Sequence, residues 1–506
     1  MIDALVFVLQ PVSLMWIFIG SGVGLVIGIL PGLGGVFALS LMLPLIFALS
    51  DAMGLVFLGA VFFAIAYGGS VSAILLGVPG ASASVATIFD GYPLSRQGRA
   101  KFALGASMMS SLVGSLLGLA ALFTVAPVIA LYAARVDSAS YFMLAMLGLS
   151  FVAIASKQNV IRGLIMGYIG LMLSFIGRDI ITTELRFTLG SFNLENGLGF
   201  IPVTIGLYAI SQALVLMEQN SVVAKGGQMG DTLWSGIKVA LRYPRILLRS
   251  SVIGLIIGAI PGAGSNIAAL VTYTTEKFTH KNQSTFGKGD IRGVVAPESA
   301  NNACVFGELI PTFALGIPGG PPAAILLVAA TILGLQAGPA FFSDSARTWF
   351  LFWGFLIGQV TWIVWGLILL PFYARITTMP APLLAPMVLA LATMGSFVTN
   401  YAFFDVLVAY GFGVVGYYCI KYRWPAEALL LGLVLGNIAE VNFRRALVIS
   451  KGSYGVFLEP LPLSIMLISI AAIVLSLTDT SALLQRLGWR GRLGRRTVRE
   501  HDESKE

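Results

Sequence analysis

Apolar residues in this chain run in stretches long enough to cross a bilayer, and charged positions are confined to the gaps between them. Residues 11–49, 52–76, 102–134 and 348–374 contain no Asp, Glu, Lys or Arg at all. A membrane-spanning helix needs about 20 apolar residues, so the pattern predicts many such helices. Four Pro-Gly pairs interrupt it. Gly-Ile-Leu-Pro-Gly-Leu-Gly-Gly at 28–35 returns as Gly-Ala-Ile-Pro-Gly-Ala-Gly-Ser at 258–265, and Leu-Gly-Val-Pro-Gly at 76–80 returns as Leu-Gly-Ile-Pro-Gly at 315–319. Pro has no backbone N–H and Gly tolerates angles that other residues avoid, so each pair is expected to stop one helix and start another partway through the membrane.

The echoes divide the chain. Pro31 to Pro261 is a shift of 230, Pro79 to Pro318 a shift of 239, and the Ala-Arg pair ending at Arg135 or Arg375 a shift of 240. We read residues 1–217 and 250–480 as two transmembrane copies. A basic linker, 218–249, joins them, and a basic tail, 481–506, follows. Loop charge bears on their orientation. After the second break the first copy carries Arg96, Arg99 and Lys101, whereas the matching stretch 334–344 has no Lys or Arg. Between the breaks the first copy has only Asp51, while the second has Lys277, Lys281, Lys288 and Arg292. Basic residues gather in cytoplasmic loops, so matching loops that alternate in charge point to inverted-topology repeats. The expected fold is an all-α polytopic membrane protein with broken helices and re-entrant segments. It would have about 10–14 membrane segments, with linker and tail in the cytoplasm.

Composition agrees and narrows the classes. Hydrophobic residues make up 57% and charged residues 11%, and the mean hydropathy is +0.90. No soluble chain of this length hides so much apolar surface. The 58 glycines suit close helix approach in a membrane bundle. The net charge of +8 is spread over loops and tail and is no nucleic-acid signature. Met1-Ile2-Asp3 opens without a basic region, so no cleaved signal peptide is expected. Cys304 and Cys419 lie in apolar surroundings and suggest neither a disulfide framework nor a metal site.

The chemistry available lies at the breaks. A restarted helix exposes unpaired N–H groups and the positive end of its dipole, and several converging ends would suit a di- or tricarboxylate. Small polar residues stand beside the breaks: Ser70, Ser72 and Ser82 in the first copy, and Ser265, Asn266, Asn301 and Asn302 in the second. Glu298 and Glu308 stand in apolar sequence, where a charge costs roughly 2.5–3.5 kcal/mol and implies a partner or a role. Either is a candidate for binding a coupling cation or a proton. Glu440, Arg444 and Arg445 follow an apolar run and read as an interfacial structural cluster. Gly287-Lys288-Gly289 lacks the full phosphate-loop pattern, the two histidines make no zinc-protease motif, and no Gly-x-Ser-x-Gly elbow occurs. An ion gradient is left as the energy source and an enzyme is disfavoured.

These residues resemble the large membrane subunit of the tripartite tricarboxylate transporters over roughly residues 10–480. The resemblance is carried by 28–35, Tyr-Gly-Gly-Ser at 67–70, Asp-Gly-Tyr-Pro at 90–93 and Arg-Phe-Thr-Leu-Gly at 186–190. It continues through Gly-Val-Val-Ala-Pro-Glu-Ser-Ala-Asn-Asn at 293–302, Ile310-Pro311, 315–319, and Glu-Val-Asn-Phe-Arg-Arg-Ala-Leu at 440–447. It implies a bacterial inner-membrane permease working with a small four-helix membrane subunit and a periplasmic solute-binding protein. That binding protein delivers an organic carboxylate, and a cation gradient, commonly sodium, drives uptake. No resident cofactor is implied. Three positions depart from the family's pattern: Gly320 where Ser is expected, Gln336-Ala337-Gly338-Pro339 where Pro-Gly-Pro is expected, and Lys288 where an acid is typical. They argue against citrate in particular more than against a carboxylate in general.

The expected substrate site therefore comprises Gly32, Gly34 and Gly35; Ser70, Ser72, Pro79, Gly80 and Ser82; Gly262, Gly264, Ser265 and Asn266; and Asn301, Asn302, Pro318, Gly319 and Gly320. Glu298 and Glu308 are set aside for coupling. The rival reading is a gradient-independent channel for an ion or small solute, which would share broken helices and small residues.

Overall fold

A computed structural model describes residues 1–155, 160–179, 182–218, 231–377 and 381–477. Lys157, Lys225 and the tail 481–506 lie outside the described residues. The described residues are almost entirely helical. The first half runs α1 (Ile2–Val8), α2 (Pro11–Ile29), α3 (Gly34–Met42), α4 (Asp51–Leu76), α5 (Val85–Arg96), α6 (Ala100–Ala133), α7 (Ser138–Ala155), α8 (Val160–Ser174), α9 (Phe200–Thr204) and α10 (Ser211–Glu218). A π-helical turn, Ile205–Ile210, joins the last two into one rod. The second half runs α11 (Leu233–Ala240), α12 (Pro244–Gly258), α13 (Gly264–Thr279), α14 (Arg292–Leu315), α15 (Pro321–Ile332), α16 (Ser345–Leu369), α17 (Tyr373–Thr377), α18 (Ala381–Asn400), α19 (Phe403–Tyr422), α20 (Ala426–Ile449) and α21 (Pro460–Leu477). Strands β1 (Gly177–Arg178) and β2 (Leu185–Arg186) form a small antiparallel hairpin pairing Gly177 with Arg186.

Among the described residues eight helices are long and apolar enough to span a membrane. Five shorter apolar helices accompany them, of which Gly34–Ala48 and Pro321–Ile332 start at the breaks. Helices α3, α12, α13 and α15 are too short to cross alone. Helix α14 has the length but carries Glu298, Asn301, Asn302 and Glu308, and it is buried along nearly its whole course. It is a core element wrapped by protein. Helix α11 and the start of α12 fall inside the stretch 218–249, so that stretch is partly packed helix. Gly236 of α11 sits against Phe102 of α6, where an added Cβ would meet the Phe102 carbonyl at 1.9 Å.

Close packing recurs with the same offsets as the sequence echoes. A Cβ on Gly24 would stand 2.3 Å from the Val61 carbonyl, and one on Gly254 would stand 2.3 Å from that of Ala300. The α2–α4 pair and the α12–α14 pair thus use glycine at matching places. Each copy also lends a helix to the other: Gly114 and Gly118 of α6 fit against α14, while Gly354 and Gly358 of α16 fit against α4. The outer helices exchange likewise, α20 packing on α7 and α8, and α19 on the α9–α10 rod.

Candidate functional site

The two breaks of each copy lie side by side, tied through their backbones. Gly32 N–H donates to the Pro79 carbonyl and Gly34 N–H to that of Gly80, each at 3.2 Å. In the second copy Gly262 N–H donates to the Gly319 carbonyl at 2.8 Å. Gly32 and Gly262 hold φ of +81° and +80°, a region that strains any side chain. Close approach is just as restrictive. A Cβ on Gly80 would stand 2.3 Å from the Gly28 carbonyl, and one on Gly319 would stand 2.5 Å from that of Glu308.

Four helix starts leave these breaks toward one cavity of about 550 Å³. They are α3 at Gly34, the 3-10 turn Ser82–Ser84 that opens α5, α13 at Gly264, and α15 at Pro321. None has a side-chain cap, and the first residues of all four line the cavity. Among the described residues no Lys or Arg lines it; the charged residues there are Glu308 and Glu427. Helix starts present positive dipole ends, which favour an anion, and all but α15, which opens on Pro321 and Pro322, also bring backbone N–H groups to their first turn.

A family model described as "Tripartite tricarboxylate transporter TctA family" matches residues 14–431. The chain belongs to that family. It is 32% identical over 474 residues to an uncharacterized 52.8 kDa protein in the TAR-I ttuC' 3' region of Agrobacterium vitis, covering 93% of this chain and 94% of that one. A second uncharacterized protein, from the TAR-II ttuC' 3' region of the same organism, is 34% identical over 229 residues, 44% of this chain and 93% of that one. No solved structure matches. The family is one of transporters that work in tripartite systems, and the eight long apolar helices make this member a multi-pass membrane protein.

Most residues singled out in this transporter's sequence meet at the cavity. Gly32, Gly34, Gly35, Pro79, Gly80, Ser82, Gly262, Gly264, Ser265, Asn266, Asn301 and Glu308 all line it. Asn301 also crosses between copies, its Nδ2 donating to the Ala66 carbonyl at 3.2 Å. The others lie just behind. Ser72 donates to the Gly69 carbonyl at 3.2 Å, Asn302 to the Glu298 carbonyl at 3.0 Å, and Gly319 N–H to Thr312 Oγ1 at 3.2 Å. Pro318 and Gly320 complete the turn into α15.

Ser70 and Glu298 form a separate buried cluster. Glu298 is 1% exposed and accepts hydrogen bonds from Ser70 (2.7 and 2.8 Å), Thr87, Ser107 (3.0 Å) and Ser111 (3.1 Å). No ion pair reaches it among the described residues. Hydroxyls from α4, α5 and α6 thus solvate a carboxylate of α14, fastening one copy to the other.

Gly287-Lys288-Gly289 is another lock. Its loop turns the N–H groups of Gly287, Gly289 and Asp290 onto Asp90 Oδ1 at 2.8–2.9 Å, and Tyr273 donates to Asp90 Oδ2 at 3.0 Å. The anion cradle is filled by the protein's own carboxylate. Lys288 is exposed there and does not line the cavity.

Sequence reasoning missed the opposite wall. Tyr208, Ser211 and Gln212 come from the π turn and the start of α10, while Trp424 and Glu427 come from the α19–α20 junction. Tyr208, Ser211 and Gln212 are polar positions three and four apart in an apolar helix, which is the signal that would have found them. The Tyr208 hydroxyl has no hydrogen-bond partner among the described residues. A π turn at a cavity wall is a common mark of function.

A second cavity, about 1100 Å³, is bounded by the hairpin and α20 and lined by Arg178, Arg186, Glu195, Glu440 and Arg445. Its charges are engaged mainly with one another. Arg186 bonds Glu440 at 2.6 and 3.1 Å, Arg178 bonds Glu195 at 3.1 Å, and Arg444 joins Asp179 and Glu440 at 2.7 and 3.2 Å. Glu440 and Arg444 therefore belong to a structural ion network, and no helix starts converge on this cavity as they do on the first.

Proposed function

We propose that this transporter imports a di- or tricarboxylate across the bacterial inner membrane, driven by a cation gradient with sodium as the coupling ion. The substrate arrives on a periplasmic binding protein, and a small four-helix membrane subunit completes the system. The observation that carries this reading is the convergence of four uncapped helix starts on one cavity without Lys or Arg. Each end is worth about 0.3–1 kcal/mol to an anion at exposed sites and about 2 kcal/mol in sheltered ones. Several together can hold a multivalent carboxylate without a fixed positive charge that would bind it too tightly to release.

In this reading the two copies are inverted, so the paired breaks sit near the midplane, as in other carriers built from broken helices. Movement of the core carrying the breaks against the outer helices would expose the cavity to each side in turn. The basic linker and tail face the cytoplasm, following the positive-inside bias.

Reconstitution with the small subunit in liposomes tests this. Labelled carboxylate uptake should require both the binding protein and an inward sodium gradient. Rapid uptake that requires neither would replace the carrier by a channel.

A further inference from the structure

The two halves of the cavity differ at four matched positions. At the shift of 239 that aligns Pro79 with Pro318, Gly69 aligns with Glu308, Ala81 with Gly320, Ser82 with Pro321, and Ala83 with Pro322. In the first copy the helix is bare and the loop carries the methyl group: a Cβ on Gly69 would stand 3.0 Å from that of Ala81. The second copy reverses this. A Cβ on Gly320 would stand 2.7 Å from Glu308 Oε2. The absence of a side chain at 320 makes the room that the Glu308 carboxylate fills.

The surroundings of that carboxylate are made for a positive guest. Among the described residues Glu308 is 3% exposed and lines the cavity; its carboxylate takes a hydrogen bond from the Ser265 backbone N–H, while Oε2 has no partner. Among the described residues no salt bridge reaches it, whereas the equally buried Glu298 is satisfied by four hydroxyl side chains. A buried carboxylate with one oxygen left unpaired and no countercharge is costly. Pro321 and Pro322 open α15 without backbone N–H groups, so two donors that Ser82 and Ala83 offer in the first copy are absent here. The exchanges of an acid for Gly and of two prolines for Ser and Ala weaken this half for an anion, and Gly320 makes space for the acid.

We propose that Glu308 binds a monovalent metal cation in the second-copy half of the cavity, opposite a carboxylate held at the first-copy helix starts. The opposite-charge arrangement rests on the carboxylate reading above; the cation site itself stands on Glu308 and Gly320. Occupied together, cation and carboxylate would neutralise each other, and Glu308 would no longer repel the substrate.

Equilibrium binding of radioactive sodium to the purified protein in detergent, in choline buffer without any carboxylate, tests the site apart from transport. The protein should bind sodium saturably, and E459Q, at an exposed position outside the cavity lining, should bind it equally. E308Q should weaken binding at least about tenfold, about 1.4 kcal/mol. The double variant E308G/G320A should do the same. It recreates the Gly69–Ala81 pair that the first copy already packs, so loss of the ligand is separated from loss of the fold. Absence of saturable binding in the unmodified protein, or binding by E308Q and E308G/G320A as tight as that of the unmodified protein, would overturn the proposal. Sodium binding without carboxylate uptake would instead leave the site standing and remove the transport reading.

Discussion

The backbone N–H of Gly262 donates to the carbonyl of Gly319 at 2.8 Å, joining two helix breaks 57 residues apart in the chain. Gly32 and Pro79 make the matching bond in the other half at 3.2 Å. Each pair of breaks is therefore one structural unit, and the cavity forms where the two units face each other.

Backbone proximity at the breaks is expected to be more demanding than backbone angle. Gly80→Ala places a Cβ 2.3 Å from the Gly28 carbonyl and should cost about 1–3 kcal/mol through forced displacement. Gly34→Ala enters open space and meets only the strain of φ +65°, about 1 kcal/mol. Thermal unfolding in detergent should rank Gly80→Ala as the less stable; the reverse order would show that the paired breaks tolerate separation.

Asn301→Ala removes the bond to the Ala66 carbonyl and a polar group from the cavity wall. Uptake should fall strongly while the protein stays folded and elutes as before in size-exclusion chromatography. Unchanged uptake would take Asn301 out of the site.

The Glu298 cluster should behave as a fastening. Ser111→Ala removes one hydroxyl of several and should cost about 1 kcal/mol. Glu298→Ala leaves a buried cavity and unsatisfied hydroxyls, for a loss of about 2–5 kcal/mol. Unfolding midpoints measure both, and equal effects would contradict the hydroxyl cage.

The loop that holds Asp90 is expected to loosen in acid. Burial by itself would raise the Asp290 carboxyl, but hydrogen bonds from Arg292 and Thr285 outweigh it and hold the group below the usual carboxylate range. A group depressed in the folded state contributes stability above its unfolded pKa, near about 4, and loses it as pH falls through the lower folded value. Protection of the amides at 283–290, taken relative to their intrinsic exchange rates, should fall over that interval, and Asp290→Asn should abolish the pH dependence of that protection. Protection that does not change with pH would contradict it.

The breaks were legible in the sequence because Pro and Gly act locally: the residues that end a helix are the residues that name it. Three of the break motifs and Asn301 consequently line the cavity, and the fourth lies directly behind it, Gly319 accepting from Gly262 N–H. What pairs across the fold was not legible. Nothing near Glu298 in the chain announces Ser107 and Ser111, and nothing near Gly287 announces Asp90, because those partners are set by the exchange of helices between copies. The wall formed by Tyr208, Gln212 and Trp424 escaped for a different reason, since no Pro-Gly pair marks either segment. Lys288 stood out as a departure in sequence, yet its side chain belongs to a surface loop.

The most direct test of the cavity as the transport site is its protection by substrate. Ser265, at the start of α13, lines it. In a background with Cys304 and Cys419 replaced by alanine, Ser265→Cys in proteoliposomes should react with a membrane-impermeant thiol reagent. Saturating carboxylate with sodium should suppress that reaction, while choline in place of sodium should restore it. Labelling that ignores both carboxylate and sodium would contradict the account.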